Sequence, residues 1–125
     1  MKMPTNNTPD WLRAMDECQM LLISDARTGH LPGYTEAAKR IASFDFRDGH
    51  DSRFWDLLYD ISDREAEEGR PLLSALVVHK SGRDEGLPGE GFFTQLCVRH
   101  GRDITDRLRC WTREVQSVQE YWRNH

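Results

Sequence analysis

Six apolar residues near the end of the chain recur at a strict rhythm. Ile104, Leu108, Trp111, Val115, Val118 and Trp122 are spaced 4, 3, 4, 3 and 4 apart. That rhythm keeps them on one face of an α-helix, and it excludes a strand, whose side chains alternate with period two. The spacing predicts a helix of about 20 residues, capped at Asp103, that lays two tryptophans against a core. With 125 residues, 38% hydrophobic and 30% charged, the chain has apolar mass for one modest core. We therefore expect a single globular domain over 9–125 behind a flexible N-terminus at 1–8. The same stripe would also suit self-association, which makes a homodimer through the C-terminal helix its alternative use.

Other elements follow from local signals. Thr8-Pro9-Asp10 reads as a helix start, with Trp11, Met15, Cys18 and Leu22 as its stripe and Gly29 as its end. A short helix is expected over Tyr34–Ile41, with Ala38 and Ile41 inward. A third, capped by Ser52, buries Phe54, Trp55, Leu58 and Ile61 and stops at Gly69 and Pro71. Phe44 and Phe46 anchor the loop between them. Leu72-Leu73-Ser74-Ala75-Leu76-Val77-Val78-His79 is apolar almost throughout and predicts a strand covered on both faces. A glycine-rich loop over Ser81–Gly91 follows, then Phe92–His100 as a short helix, or a strand running into one, closed by Gly101. The expected fold class is α+β, mainly helical: winged-helix-like helices, a small sheet and a long C-terminal amphipathic helix.

There is no apolar run of the ~18 residues that a membrane span requires, so no membrane role is expected. Met1 to Asn7 carry no hydrophobic signal core. Cys18, Cys97 and Cys110 are an odd number at wide spacing, as in a reducing compartment. Together these predict a cytoplasmic protein.

Charge is unevenly spread around a net −4. Asp56, Asp60, Asp63, Glu65, Glu67 and Glu68 stand against Arg64 alone. Arg99, Arg102, Arg107, Arg109 and Arg113 stand against Asp103 and Asp106. Solvated helix faces account for such runs most simply. The acidic run would also suit a protein partner, which it would meet through Asp56, Asp60 and Asp63 together with Pro88, Gly89, Glu90 and Phe92. The alternative is nucleic acid, held by Arg53, Arg99, Arg102, Arg107, Arg109 and Arg113. Net acidity, and Asp56, Asp60 and Asp63 on the would-be reading helix, oppose that use.

No catalytic set stands out. The glycine-rich loop ends in Gly91-Phe92-Phe93 rather than Gly-Lys-Ser/Thr, and Asp84, Glu85 and Glu90 would repel a phosphate. Cys97 and His100 share a helix face but lack the further ligands of a zinc site, so Cys97 reads as a core cysteine; no metal and no cofactor are expected. Ser74 and His79, five apart, would point to opposite faces of a strand. An enzyme would instead have to bring His79 and Glu90, with Lys80, to one cavity beside the loop.

Two resemblances bear on this. Tyr34-Thr35-Glu36-Ala37-Ala38-Lys39-Arg40-Ile41 resembles the Tyr-x-Glu-x-Ala-x-x-Ile helix of the alkyltransferase-type winged-helix domain, and Arg53 matches its helix-3 arginine. That resemblance implies a winged helix on DNA. The family's Pro-Cys-His-Arg motif is replaced here by Pro71-Leu72-Leu73-Ser74, so alkyl transfer is not implied and no catalytic residue carries over. Arg70-Pro71-Leu72-Leu73-Ser74-Ala75-Leu76-Val77-Val78 to Lys80, followed by Pro88-Gly89-Glu90-Gly91-Phe92-Phe93, is similar to a group of uncharacterised small bacterial and phage proteins. Arg83-Asp84-Glu85 lengthens the spacer here, and the resemblance implies kinship without an activity. The expected function is a non-catalytic recognition module for a protein partner, of the phage inhibitor, immunity or anti-defence kind. The alternatives are a winged-helix-like nucleic-acid binder and a small enzyme using His79 and Glu90.

Overall fold

A computed structural model describes residues 8–125; the flexible N-terminus expected over 1–8 lies outside the described residues except for Thr8, which is the cap of the first helix. Four α-helices carry the fold: α1 (Pro9–Thr28), α2 (Tyr34–Lys39), α3 (Ser52–Glu67) and α4 (Arg107–Arg123). A 3-10 turn (Leu73–Leu76) lies between α3 and α4. So does a helical stretch over 90–99, whose centre, Phe92–Cys97, is π-helical.

Local chemistry sets the boundaries. The Thr8 side chain accepts the Trp11 N–H at 3.2 Å and opens α1 at Pro9, while Gly29, in the left-handed region, closes it. Asp51, rather than Ser52, caps α3. At α4 the cap is Asp106, which accepts the Arg109 N–H at 3.0 Å. Asp103 spends its carboxylate on the Thr105 N–H at 2.9 Å, a local turn that holds Ile104 outside the helix and starts α4 three residues later than its stripe predicts. Leu108, in the first turn, is 60% exposed.

The expected α+β class is overturned. Among the described residues no strand forms, and the fold is all-α. Its only bridge is an isolated parallel pairing of Gly33 with Val78. The apolar run is buried over 72–78, with His79 half-buried, but α1, α3 and α4 surround it and no second strand lies alongside to complete a ladder. Its backbone polar groups find other partners. Leu72 N–H donates to Glu114 Oε2 at 2.8 Å and Ser74 N–H to Ser62 Oγ at 3.1 Å. Val78 N–H donates to the Pro32 carbonyl at 3.0 Å, and Trp111 Nε1 donates to the Ala75 carbonyl at 2.8 Å. Bonds from Ala75 to Leu72 and from Val77 to Ser74 then wind the middle into a 3-10 turn. With no sheet there is no wing: the loop after the run closes on itself through His79 N–H to Leu87 and Gly86 N–H to His79.

The core gathers around this turn. Trp11, Leu22, Phe54, Leu57, Ile61, Leu72, Leu76, Leu96 and Val118 are wholly or almost wholly buried, each contributing about 1.5–3 kcal/mol of transfer free energy. Phe44 and Phe46 meet the Trp11 ring edge-on at 5.3 and 6.4 Å, which pins the loop before α3 as anticipated. Two buried carboxylates lie beside the core. Glu65 is held by Arg70 and Gln19; Glu114 is held by Arg102 through two contacts of 3.0 Å. No helix among the described residues is long and apolar enough to cross a membrane.

Candidate functional site

Five segments of the chain meet in one cavity of about 440 Å3. The start of α2 contributes Tyr34. The loop before α3 contributes Gly49 and His50. The first half of α3 adds Trp55, Leu58 and Tyr59, and the opposite wall is Ser74, His79 and the stretch from Gly89 to Phe92, with Thr94 and Gln95. Tyrosine, tryptophan, phenylalanine and histidine rings dominate this lining. It contains no lysine and no arginine.

Two glycines make the cavity possible. Gly91 lies under the Tyr59 ring, and a Cβ there would fall 1.8 Å from the phenol oxygen. Gly49 lies against the first residues of α2, where a Cβ would meet the Thr35 nitrogen at 2.4 Å. The Gly49 carbonyl accepts the Trp55 indole N–H at 2.8 Å, which fixes the ring that forms the rim. Trp55 itself stays 39% exposed.

Polar groups in the cavity are sparse and specific. The Tyr34 hydroxyl accepts the Gly89 N–H at 2.8 Å, and its ring lies over His79 at 5.0 Å. Burial pushes the Tyr34 phenol up to about 12, and burial, with the nearby Asp56 carboxylate, pushes Tyr59 up as well. Both phenols therefore keep their protons at neutral pH. Neither donates that proton to a protein acceptor among the described residues. The Ser74 hydroxyl is already bonded to Ser62 at 2.8 Å. Glu90, the one carboxylate on the lining, is 68% exposed and paired with Arg107, which holds it below the usual carboxylate range.

The structure brings Pro88, Gly89, Glu90 and Phe92 of the predicted loop to this cavity or beside it, and His79 with them. His79 and Glu90 do share one space. Ser74 and His79 share it too, because the run that joins them is not a strand. Lys80 turns away and donates to the Leu31 carbonyl at 2.7 Å.

The charged residues are distributed differently. Asp60 accepts the Trp11 indole N–H at 3.0 Å, and Asp63 takes His100 at 2.7 Å and Arg99 at 3.2 Å; Asp56 is exposed on α3. Among the arginines, Arg53 pairs with Asp51, Arg99 with Asp63, Arg102 with Glu114 and Arg107 with Glu90. Arg109 and Arg113 lie in a shallow cleft with Asp103 and Asp106. Opposite charges are thus interleaved. A larger, more open cleft of about 660 Å3 lies between the end of α3 and α4, and its Arg70 and Arg102 are already held by Glu65 and Glu114.

Cys97 lies 3.7 Å from Cys110, sulfur to sulfur, both buried. Burial, and then Cys110 itself, push the Cys97 thiol up, as suits a core cysteine. No group of histidine, cysteine and carboxylate side chains suited to a metal exists among the described residues.

Sequence reasoning missed Tyr34, Tyr59 and Trp55 as site residues. Local signals place Tyr34 at a helix start and Trp55 in the apolar stripe, and assign no role to Tyr59. The signal was there in part: Trp55 and Tyr59, four apart on α3, flank the apolar stripe rather than fill it. Comparison with protein-family models, with curated proteins and with solved structures returned no match.

Proposed function

We propose that the protein is a non-catalytic recognition module and that its ligand enters the aromatic cavity between α2, α3 and the Gly89–Phe92 stretch. One observation carries this reading: the cavity is concave, ring-lined and of small-ligand size, and a few fixed polar groups converge on it. Recognition rather than turnover is supported by how the reactive groups are used. The Ser74 hydroxyl is bonded to Ser62, the Glu90 carboxylate to Arg107, and both phenols are held in the neutral form. A nucleophile needs a base within hydrogen-bond reach, and no such pair forms in the cavity among the described residues.

A protein partner is the second reading. Trp55, partly exposed on the rim, is the kind of aromatic anchor that concentrates at protein interfaces, and a partner's side chain would enter the same cavity. Nucleic acid draws less support, because Arg53, Arg99, Arg102 and Arg107 are each neutralised by a carboxylate.

The test is a nuclear magnetic resonance titration with small ring compounds at millimolar concentration. It follows the Trp55 indole N–H and the Gly89 and Gly91 amides. We expect saturable shifts confined to these signals and lost in Gly91→Ala. If no compound shifts them, the cavity is not a binding site and the reading fails.

A further inference from the structure

We infer that the cavity selects a neutral, planar ring bearing a hydrogen-bond acceptor, such as an aryl ketone or lactam, over charged or purely hydrocarbon rings of the same size. This rests on the reading of the cavity as the binding site.

Charge excludes two ligand classes. An anion entering the cavity would meet no lysine or arginine, the imidazoles of His50 and His79 being the only basic side chains on the lining, and its desolvation would go largely uncompensated. A cation would meet aromatic faces, which attract it, but Glu90, the carboxylate on the lining, is exposed and held by Arg107, and Asp56, which acts on Tyr59, lies outside the lining. Glu90 therefore cannot neutralise a cation without giving up its own ion pair. A neutral ligand escapes both penalties.

Hydrogen bonding narrows the neutral class. Tyr34 and Tyr59 each present a phenol O–H without a protein acceptor among the described residues. The Tyr34 oxygen already accepts from Gly89, which polarises its O–H and makes it the better donor. The Tyr59 oxygen sits on Gly91, at the opposite end of the same loop turn. A ligand that brings a carbonyl or a ring nitrogen satisfies a donor that would otherwise be left with water. A hydrocarbon ring fills the space and displaces that water without replacing its bond. Planarity follows from walls made of rings, against which a flat π-system stacks.

Four single-ring probes separate the possibilities: acetophenone, toluene, benzoate and benzylammonium. Each is titrated into the full chain, following the Trp55 indole N–H and the Gly89 and Gly91 amides. Acetophenone is expected to bind at least 5-fold more tightly than toluene, and at least 10-fold more tightly than benzoate or benzylammonium. In Tyr59→Phe the preference over toluene should fall at least 3-fold. That variant removes no hydrogen bond within the protein among the described residues, so its fold is preserved. Tyr34→Phe should act in the same direction, with an added shift of the Gly89 amide as it loses its acceptor.

Equal binding of acetophenone and toluene, or an unchanged preference in Tyr59→Phe, overturns the acceptor claim. Benzylammonium binding as tightly as acetophenone overturns the neutrality claim. Either result leaves the cavity intact as a site, whereas silence from all four probes would sink the cavity itself.

Discussion

The run 72–78 and the cavity between Tyr34, Tyr59 and Phe92 are both places where polar groups enter an apolar interior, and they are finished differently. Along the run, side chains from the surrounding helices complete the backbone: Glu114 takes the Leu72 N–H, Ser62 takes the Ser74 N–H, and Trp111 gives its indole proton to Ala75. Around the cavity, two phenol protons are left unspent and a tryptophan stays partly open to water. Buried polar groups with all partners in place hold a fold together, whereas donors left open in a concave space suit a ligand. The first region should therefore answer to stability measurements, and the second to binding measurements.

Leu76→Ala is the strongest test of the first half. Leu76 is wholly buried at the end of the 3-10 turn. Its truncation should cost about 3 kcal/mol in chemical denaturation while leaving acetophenone affinity unchanged in the folded fraction. A loss below about 1 kcal/mol would mean that the turn is not the hub of the core.

Glu114→Ala comes next. It strands the Leu72 N–H and deprives Arg102 of its partner. Arg102 is about a third exposed and can recover water, so the expected cost is about 2 kcal/mol rather than the full value of a buried pair. By contrast Glu90→Ala, which breaks an exposed pair, should leave the denaturation midpoint unchanged.

Gly91→Ala reverses the pattern. The added methyl collides with the Tyr59 hydroxyl, and that side chain can swing out. Stability should fall by about 1 kcal/mol, while probe affinity falls at least tenfold. An unaffected affinity would separate Tyr59 from the site.

The smallest effect is a pH response at the start of α3. Arg53 bonds the Asp51 carboxylate, and this, with the Arg47 and Arg53 N–H groups, holds it well below the usual carboxylate range. A folded-state pKa below the unfolded one adds stability above the unfolded value, roughly pH 4, and that stability is lost as pH falls further toward the folded value. Asp51→Asn should therefore cost about 1 kcal/mol at neutral pH and flatten the acid limb of the stability curve. An acid limb as steep as the parent's would assign the effect to other carboxylates.

Much of the helical framework was legible because its causes are local. Thr8, Pro9 and Gly29 mark the ends of α1 by chemistry that acts within one turn, and the stripe through Trp111, Val115 and Val118 finds the core as its spacing requires. The strand expected at 72–79 failed because strand formation is not local. Burial was readable from composition, but a ladder needs a neighbour, and only the tertiary arrangement shows that helices occupy that place. The interleaving of acidic and basic side chains was illegible for a similar reason. Arg99 and Arg102 meet their carboxylates, Asp63 and Glu114, across gaps of 36 and 12 residues, so one-dimensional runs of charge say little about free charge on the surface.

Glycine-rich composition between 82 and 91 was enough to direct attention to Pro88–Phe92, and the cavity does lie there. What makes it a cavity is decided elsewhere. Tyr34, Trp55 and Tyr59 reach it from two other elements; Gly91 leaves the gap in which the Tyr59 ring sits, and Gly49 leaves room for the backbone at the start of α2. Helix ends and apolar stripes are written in the chain by itself, because capping and periodicity act over three or four residues. The shape and chemistry of the candidate site exist only after folding, because they depend on which distant rings arrive at one place and on which hydroxyl protons the packing leaves without a partner among the described residues.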